Sequence, residues 1–364
     1  MKQKCFQGED AYFDFIQMIR RYGKKVFVVS GKFCQKLPIV KRITNALDTV
    51  VFFSDFSPNP TYESVENGVE LFRRCTCDSI LAIGGGSAMD VAKCIKLFAT
   101  MSPDSNYLKQ PFIANDIFLA AVPTTAGTGS EATRFAVIYY KGEKQSVTHE
   151  SLIPQGTLLD ADLLTGLPEY QKKATMLDAL CHATESFWSL HSTNESKKYA
   201  KEAIQLIFAN KTAYLRNDPI GNKNMLWAAH LAGKAINISQ TTAAHAMCYK
   251  LTSLYGLAHG HAAAIVLPKL WRYMLEHEEQ CVDSRGASYL SDIFDEIAAA
   301  MECDTVAKAI EQWEKLLKEL SLSKPKARKE DRELLVSSVN VTRLKNNPVS
   351  LNPDDIDKIY GELL

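Results

Sequence analysis

The stretch LAIGGGSAMDVAKCIKLF, residues 81–98, runs from an apolar segment through three glycines straight into a helical pattern. Strand, glycine turn and helix N-terminus in that order make a cradle for phosphate. Glycines let the backbone approach the oxygens without a Cβ in the way. The unpaired N–H groups of the first helical turn, at the positive end of the dipole, then favour an anion. Ser87 is the expected N-cap. The pattern lacks the third glycine of GxGxxG, so an ordinary tight βα turn fits these residues equally well.

The neighbouring segments repeat the pattern. KKVFVVSG (24–31), DSILAIGGG (78–86) and DIFLAAVPTT (116–125) are apolar runs separated by helical periodicity, as in the βα units of a parallel sheet, and FAVIYY (135–140) is expected as a fourth strand. The loop PTTAGTGSEAT (123–133) packs five hydroxyl side chains and two glycines into eleven residues. Small hydroxyls suit a loop lying against ribose or phosphate oxygens, although a structural Ser/Thr turn looks the same in isolation. Two such loops after neighbouring strands point to a nucleotide across the strand ends. Beyond LLDADLLTGLP, which ends at Pro168, the chain changes to long helical periodicity, with Pro154, Gly166 and Pro168 marking the crossing. The expected architecture is an α/β N-terminal dinucleotide-binding domain with a Rossmann-like parallel sheet over residues 1–165. An all-α C-terminal domain over 166–364 follows it.

Composition narrows the function classes. A chain of 364 residues with 46% hydrophobic content is long enough for two domains and too apolar to be disordered. Lys plus Arg and Asp plus Glu balance at 42 each, so no overall basic field exists to hold nucleic acid or an anionic membrane. The N-terminal residues lack the apolar core of a signal peptide, and no run approaches the length of a membrane span, so a cytoplasmic address is expected. Nine cysteines without repeated CxxC pairs read as reduced thiols, and Cys75 with Cys77 has no second pair to complete a metal clip. The mixed charge run at 322–335 reads as a solvated helix start.

The second half carries its own chemistry. In DALCHATES (178–186), Asp178 and His182 stand four residues apart on a segment of helical pattern, one above the other on one face. By itself such a pair is satisfied by a surface role worth a few tenths of a kcal/mol, roughly, of helix support. Downstream, TTAAHAMCYKLTSLYGLAHGHAAAIVLP holds His245, His259 and His261. On one straight helix His245 and His259 would be about 21 Å apart. Gly256 and Gly260 make a straight helix untenable, and a break near Tyr255 would fold His259 back toward His245. Asp178, His182, His245 and His259 then form an Asp and three His set suited to catalytic divalent iron or zinc. His261 need not face the same way. His230 sits on an apolar helical face as a core residue, and His149 and His191 lie in polar stretches.

The spaced set PNPT (58–61), GGGSAMDVAK (84–93), PTTAGTGSEAT, LLDADLL (158–164), DALCHA (178–183) and HGHAAAIVLP (259–268) resembles the iron-containing, group III alcohol dehydrogenases. These share a fold with glycerol dehydrogenase and dehydroquinate synthase. The resemblance spans nearly the whole chain, in order. It implies that Gly85, Gly86, Ser87 and Asp90 hold the cofactor pyrophosphate and that Thr124, Thr125, Thr128 and Thr133 border the nicotinamide half. Gly31, Asn59 and Lys144 complete the implied cofactor set, and the metal is assigned to Asp178, His182, His245 and His259.

Two departures from the family pattern carry consequences. Many members have a histidine four residues after the third ligand, on the proton route to solvent, where this chain has Tyr249. A phenol relays protons less readily at neutral pH, its ordinary pKa being near 10. NAD-preferring relatives often carry an aspartate after the first strand, where this chain reads Ser30, Gly31 and Lys32. With no carboxylate to repel a 2′-phosphate, NADPH is expected over NADH, and reduction over oxidation. Within the family, EATRFAVI, QSVTHESLIP and ESFWSLHSTNESKKYAKEAI look most similar to the branch that reduces phosphonoacetaldehyde to 2-hydroxyethylphosphonate. That implies a cationic grip on the substrate, for which Arg134 is the expected residue, its competing role being an ordinary salt bridge.

The resulting expectation is a metal-dependent aldehyde reductase, Fe2+ or Zn2+ with NADPH, acting on a small aldehyde and assembled as a homo-oligomer. Tyr249 and Arg134 are its candidate catalytic side chains. The alternatives are a broad alcohol dehydrogenase acting on uncharged aldehydes, a dehydroquinate synthase-like lyase that returns its cofactor unchanged, and a non-catalytic binding module.

Overall fold

The computed structural model describes residues 3–8, 11–322, 324–326, 328, 330–339 and 344–364. The chain forms two compact units, one of Met1–Thr125 with Gly129–Thr165 and one of Ala126–Thr128 with Gly166–Leu364. The first unit is built on six parallel strands: β1 (Lys4–Phe6), β2 (Lys25–Ser30), β3 (Thr49–Phe53), β4 (Ser79–Gly84), β5 (Phe118–Pro123) and β8 (Gly156–Leu158). Their order across the sheet is β1-β8-β5-β4-β2-β3.

The central strands are continuous apolar runs because helices cover both faces. Phe27, Val29, Ile80, Ala82 and Leu119 point to one side, against α3 (Tyr62–Arg74) and α4 (Gly86–Phe98). Val26, Val28, Leu81, Ile83 and Val122 point to the other, against α1 (Ala11–Tyr22) and α2 (Pro38–Asn45). The strand order reverses between β2 and β4, and at such a switch point the strand ends open a crevice for a ligand.

Two local expectations are corrected. FAVIYY does form a strand, β6 (Phe135–Tyr140), but it pairs antiparallel with β7 (Glu143–Thr148) in a separate hairpin. Only Ala136 and Ile138 alternate fully inward along it, which is the pattern of a half-covered ribbon. Ser87 is not the cap of α4: Gly85 is the N-cap residue, no side chain caps the helix, and Ser87 lies inside the first turn.

Among its described residues the second unit is helical, apart from a bridge between Cys281 and Val349. DALCHATES lies on α5 (Glu169–Trp188), whose first three residues are exposed but whose residues from Met176 to Trp188 are all buried, so this part of the helix is central and has no solvated face. It packs against α6 (Asn194–Leu215), α7 (Pro219–Ser239) and α9 (His259–Glu276). Helix α8 (Ala243–Tyr255) stops at Gly256, whose φ of 68° is the left-handed C-cap, and α9 begins three residues later. The charge run at 322–335 falls partly outside the described residues; a helix, Asp331–Ser337, starts within it. No helix among the described residues is long and apolar enough to cross a membrane.

Candidate metal and nucleotide sites

In the first unit the glycine turn and the threonine loop lie side by side. Gly84 pairs in register with Pro123, Thr124 N–H donates to the Gly84 carbonyl at 3.0 Å, and a Cβ on Gly85 would sit 3.2 Å from Thr125 Cγ2. Gly84 itself must be small, because its Cβ would lie 2.6 Å from that of Ala88. Gly86 opens α4, so the N-terminal amides of a thirteen-residue helix lie at the end of β4. At the end of the adjacent β2, a Cβ on Gly31 would meet nothing within 4 Å, Lys32 is exposed, and the fully buried Ser30 hydroxyl has no hydrogen-bond partner. The open backbone at this switch point leaves room for the ribose end of a nucleotide.

Asp90 and Lys144 belong to the same unit, and the Ser130 hydroxyl of the threonine loop lies 3.3 Å from Asp90 Oδ1. Asp90 is pushed up to about 6 by burial, although Lys93, the Val137 backbone, Ser130 and Lys144 all pull it down. Lys93, one turn further on, was not among the sequence candidates. It is buried, and its Nζ donates to the carbonyls of Ser130 (2.6 Å), Thr133 (2.7 Å) and Phe135 (2.7 Å) and to the hydroxyls of Ser130 (3.1 Å) and Thr133 (3.0 Å). Burial pushes its pKa down to about 8. Lys93 therefore ties the threonine loop, including Thr133, to the helix that starts at the glycine turn. Thr124 is buried, whereas Thr125 and Thr128 are half-buried. Asn59 is exposed and adopts a left-handed φ of 57° just before α3. Spacing within GGGSAMDVAK puts Lys93 in view only as a helical residue; its five acceptors come from 37 to 42 positions away.

In the second unit Asp178, His245 and His259 each offer a ligand atom within 4.8 Å of the others. The turn at Gly256 brings the His259 ring to 5.3 Å from that of His245. Gly260 lets α9 rest on α5: a Cβ there would strike the Ala174 carbonyl oxygen, Asp178 Cβ (2.5 Å) and Asp178 N (2.8 Å). Tyr170 secures the same turn, its hydroxyl accepting from Ala258 N–H at 2.9 Å and meeting His261 Nδ1 at 3.0 Å. His182 stands outside the group of three and stacks on His245, centroids 4.6 Å apart and rings 15° from parallel.

Three buried polar atoms here lack any hydrogen-bond partner: Asp178 Oδ1, His182 Nδ1 and His245 Nε2. Orphans of that kind cost about 1–3 kcal/mol each, and a cation among them satisfies a carboxylate oxygen and imidazole nitrogens together. The residues thus fit a divalent iron or zinc ion, with partly exposed His259 on the accessible side and the other two ligands buried.

The electrostatics of Asp178 and His182 agree with that fit. Burial alone would raise the Asp178 carboxyl, but the imidazoles of His182, His245 and His259 outweigh it and hold it well below the usual carboxylate range. Burial pushes His182 down to about 4, keeping it in the neutral form that ligates metals. Burial acts the same way on His245, yet Glu185 and Asp178 hold it up at about 9. Glu185 is the second residue the sequence candidates omitted. It lies three residues after His182 and seven after Asp178, on the same helical stripe, and hydrogen-bonds His245 Nδ1.

The remaining candidates are placed as follows. Tyr249 lies flat on His259, centroids 5.4 Å apart and rings at 11°. Arg134 pairs with Glu150 at 2.7 Å in the first unit and covers the Phe135 ring. His149 bonds Ser151, His191 is exposed, and buried His230 stacks on Trp227.

The chain matches known proteins along its whole length. The model for iron-containing alcohol dehydrogenase covers residues 2–161, and that for the Fe-containing alcohol dehydrogenase family, C-terminal, covers residues 172–364. The phosphonoacetaldehyde reductase of Streptomyces viridochromogenes is 33% identical over 365 residues, which cover 94% of this chain and 91% of that one. A 1,3-propanediol dehydrogenase of Citrobacter freundii is 34% identical over 70% of this chain and 68% of its own. Among solved structures, sulfoacetaldehyde reductase from Bifidobacterium kashiwanohense, in complex with NAD+, superposes with a TM-score of 0.88 at 26% identity, covering 99% of this chain and 96% of that one. A parallel sheet bearing a glycine turn, a helical unit bearing a buried Asp–His cluster, and two family matches that together span the chain agree on one conclusion. The chain belongs to the iron-containing alcohol dehydrogenase family and is an oxidoreductase acting on CH–OH groups.

Proposed function

We propose that the chain is a metal-dependent aldehyde reductase that converts phosphonoacetaldehyde to 2-hydroxyethylphosphonate with NADPH, residues 1–165 carrying the nucleotide and 166–364 the metal. The observation that carries the metal-dependent reading is the buried group of Asp178, His245 and His259 with its unsatisfied ligand atoms. Likeness to a phosphonoacetaldehyde reductase over 94% of the chain supports the substrate, as does structural likeness to a sulfoacetaldehyde reductase, since both names denote an acetaldehyde with an anionic group. The absence of a carboxylate from Ser30-Gly31-Lys32 supports NADPH.

A bound divalent ion would supply Lewis acidity and a bound reduced nicotinamide would supply hydride. The chain's residues do the rest. Asp178, His182, His245 and His259 hold the ion. The glycine turn (Gly85, Gly86, Ser87) holds the pyrophosphate, and Thr124, Thr125, Thr128 and Thr133 border the nicotinamide, with Asp90 and Lys144 behind them and Gly31 and Asn59 toward the ribose. Aldehyde, NADPH and one proton give alcohol and NADP+; Tyr249, lying on the His259 ring, is the side chain assigned to deliver that proton. Arg134 is assigned to the phosphonate. For that it must exchange its pairing with Glu150, a partner 70% exposed, and such surface pairs are worth only about 0–1 kcal/mol.

The test is NADPH and NADH oxidation by iron-loaded protein with phosphonoacetaldehyde and butyraldehyde side by side. A hundredfold preference in kcat/KM for the phosphonate, about 2.7 kcal/mol of transition-state discrimination, is expected. Equal rates would remove the phosphonate reading and leave a broad alcohol dehydrogenase, which the 1,3-propanediol dehydrogenase likeness favours. Asp178→Ala should abolish both metal content and turnover; full activity in metal-free protein would sink the metal-dependent reading.

A further inference from the structure

Glu185 is fully buried in the last turn of α5 and both of its oxygens are used. Oε2 takes His245 Nδ1, while Oε1 accepts from Thr242 Oγ1 (2.7 Å), Thr242 N (3.1 Å) and His245 N (3.3 Å). No lysine or arginine among the described residues pairs with Glu185 or with Asp178; the ion-pair partner of both is His245. Two buried carboxylates thus share one imidazole, which can balance at most one negative charge, and unbalanced buried charge is costly to keep. Simple helix or loop packing would be served by a neutral residue, so the charge calls for another explanation.

We infer that Glu185 is a positioning residue for the metal centre: it holds the proton of His245 on Nδ1, so that Nε2 faces the ion, and it supplies the second negative charge that balances a divalent cation. Three observations converge on this role. His245 Nε2 has no hydrogen-bond partner and lies 3.7 Å from Asp178 Oδ1, another atom without one. The two backbone and side-chain donors of Thr242, together with His245 N–H, fix the carboxylate at the N-terminus of α8, so its orientation does not depend on the ion. Asp178 and Glu185 are seven residues apart on one helix, two turns along the same face, so one rigid element carries both charges to either side of His245. Carboxylates placed behind ligating histidines raise ligand basicity and fix the tautomer. The inference rests on the metal-dependent reading given above.

The test uses full-length protein, stripped of metal and titrated with Co2+ against a competing chelator, for wild type, Asp178→Ala and Glu185→Gln. Glutamine keeps the volume and one oxygen acceptor but removes the charge. Expected are Co2+ affinity lowered by roughly 10–100-fold in E185Q, a changed d–d spectrum, and unchanged NADPH binding. Wild-type affinity and spectrum in E185Q, with Co2+ lost in D178A, would overturn the role of Glu185 and leave the metal site intact. Failure of the wild type itself to bind Co2+ would instead overturn the metal reading. If E185Q does not fold, the wild type answers alone: 15N spectra of the Zn2+-loaded protein should show His245, assigned by the signal lost in His245→Gln, protonated at Nδ1 and ligated through Nε2. Ligation through Nδ1 would refute the inference.

Discussion

Replacing Gly260 by alanine tests how the cluster is assembled. Residue 260 follows His259 in the first turn of α9, and its added Cβ would lie 2.5 Å from Asp178 Cβ and 2.8 Å from Asp178 N, and closer still to the Ala174 carbonyl oxygen. None of these atoms can swing aside by a rotamer change. Restoring ordinary contact, about 3.5 Å between carbons, requires α9 and α5 to part by about 1 Å. Overpacking of that kind costs about 1–3 kcal/mol, or a fall of several degrees in Tm for a unit of this size. The functional loss should be larger. Metal–ligand distances tolerate about 0.2 Å, and a misplacement of about 1 Å costs on the order of a hundredfold, because His259 rides on the displaced turn. Co2+ titration, kcat/KM and Tm should be measured together, with Gly166→Ala as control, since a Cβ there meets nothing within 4 Å. A G260A protein with wild-type metal affinity would refute the claim that this close approach sets the ligand geometry.

Two other substitutions probe the first unit. Lys93→Met leaves two buried carbonyls and one partly buried carbonyl without their donor, each buried one costing about 1–3 kcal/mol, and should loosen residues 130–135 and weaken NADPH binding by at least about tenfold; unchanged hydrogen exchange there would refute the tether. The comparison also has a pH signature. Lys93 sits at about 8 when folded against an ordinary 10.5, so between those values the unfolded chain binds the proton and the folded one does not. Wild type should therefore gain stability relative to K93M as pH rises from about 8 to 10.5, as denaturant midpoints at both ends will show. Gly31→Asp places a carboxylate at the end of β2, where there is room for it. It should move the NADPH-to-NADH ratio of kcat/KM toward NADH by at least about tenfold, roughly 1.4 kcal/mol, and an unmoved ratio would dismiss this position as the site of cofactor choice.

The fold class was legible because it is written in local periodicity. Apolar runs of about six residues buried on two faces, separated by helical periodicity, suit a covered parallel sheet, and β2, β4 and β5 are such runs, the first two running into glycine. The helical half was legible for the same reason, and Gly256 marked the reversal that brings His259 back. FAVIYY was misplaced because a strand's pattern does not name its partner: β6 is satisfied by the adjacent β7 rather than by the main sheet. The three-residue strands β1 and β8 carry too few residues to show any period.

By itself the sequence determined which residue types were at hand: the glycine turn, the threonine loop, and an Asp–His pair one helical turn apart. Tertiary structure decided what surrounds them. Lys93 reaches a loop some forty residues away, Glu185 grips a histidine sixty residues on, Gly260 admits α9 to α5, and Arg134 faces Glu150. The physical reason is range. Turns and helix faces follow from neighbours within about four positions, whereas hydrogen bonds between buried groups depend on which elements pack together, and packing is settled by the whole chain at once.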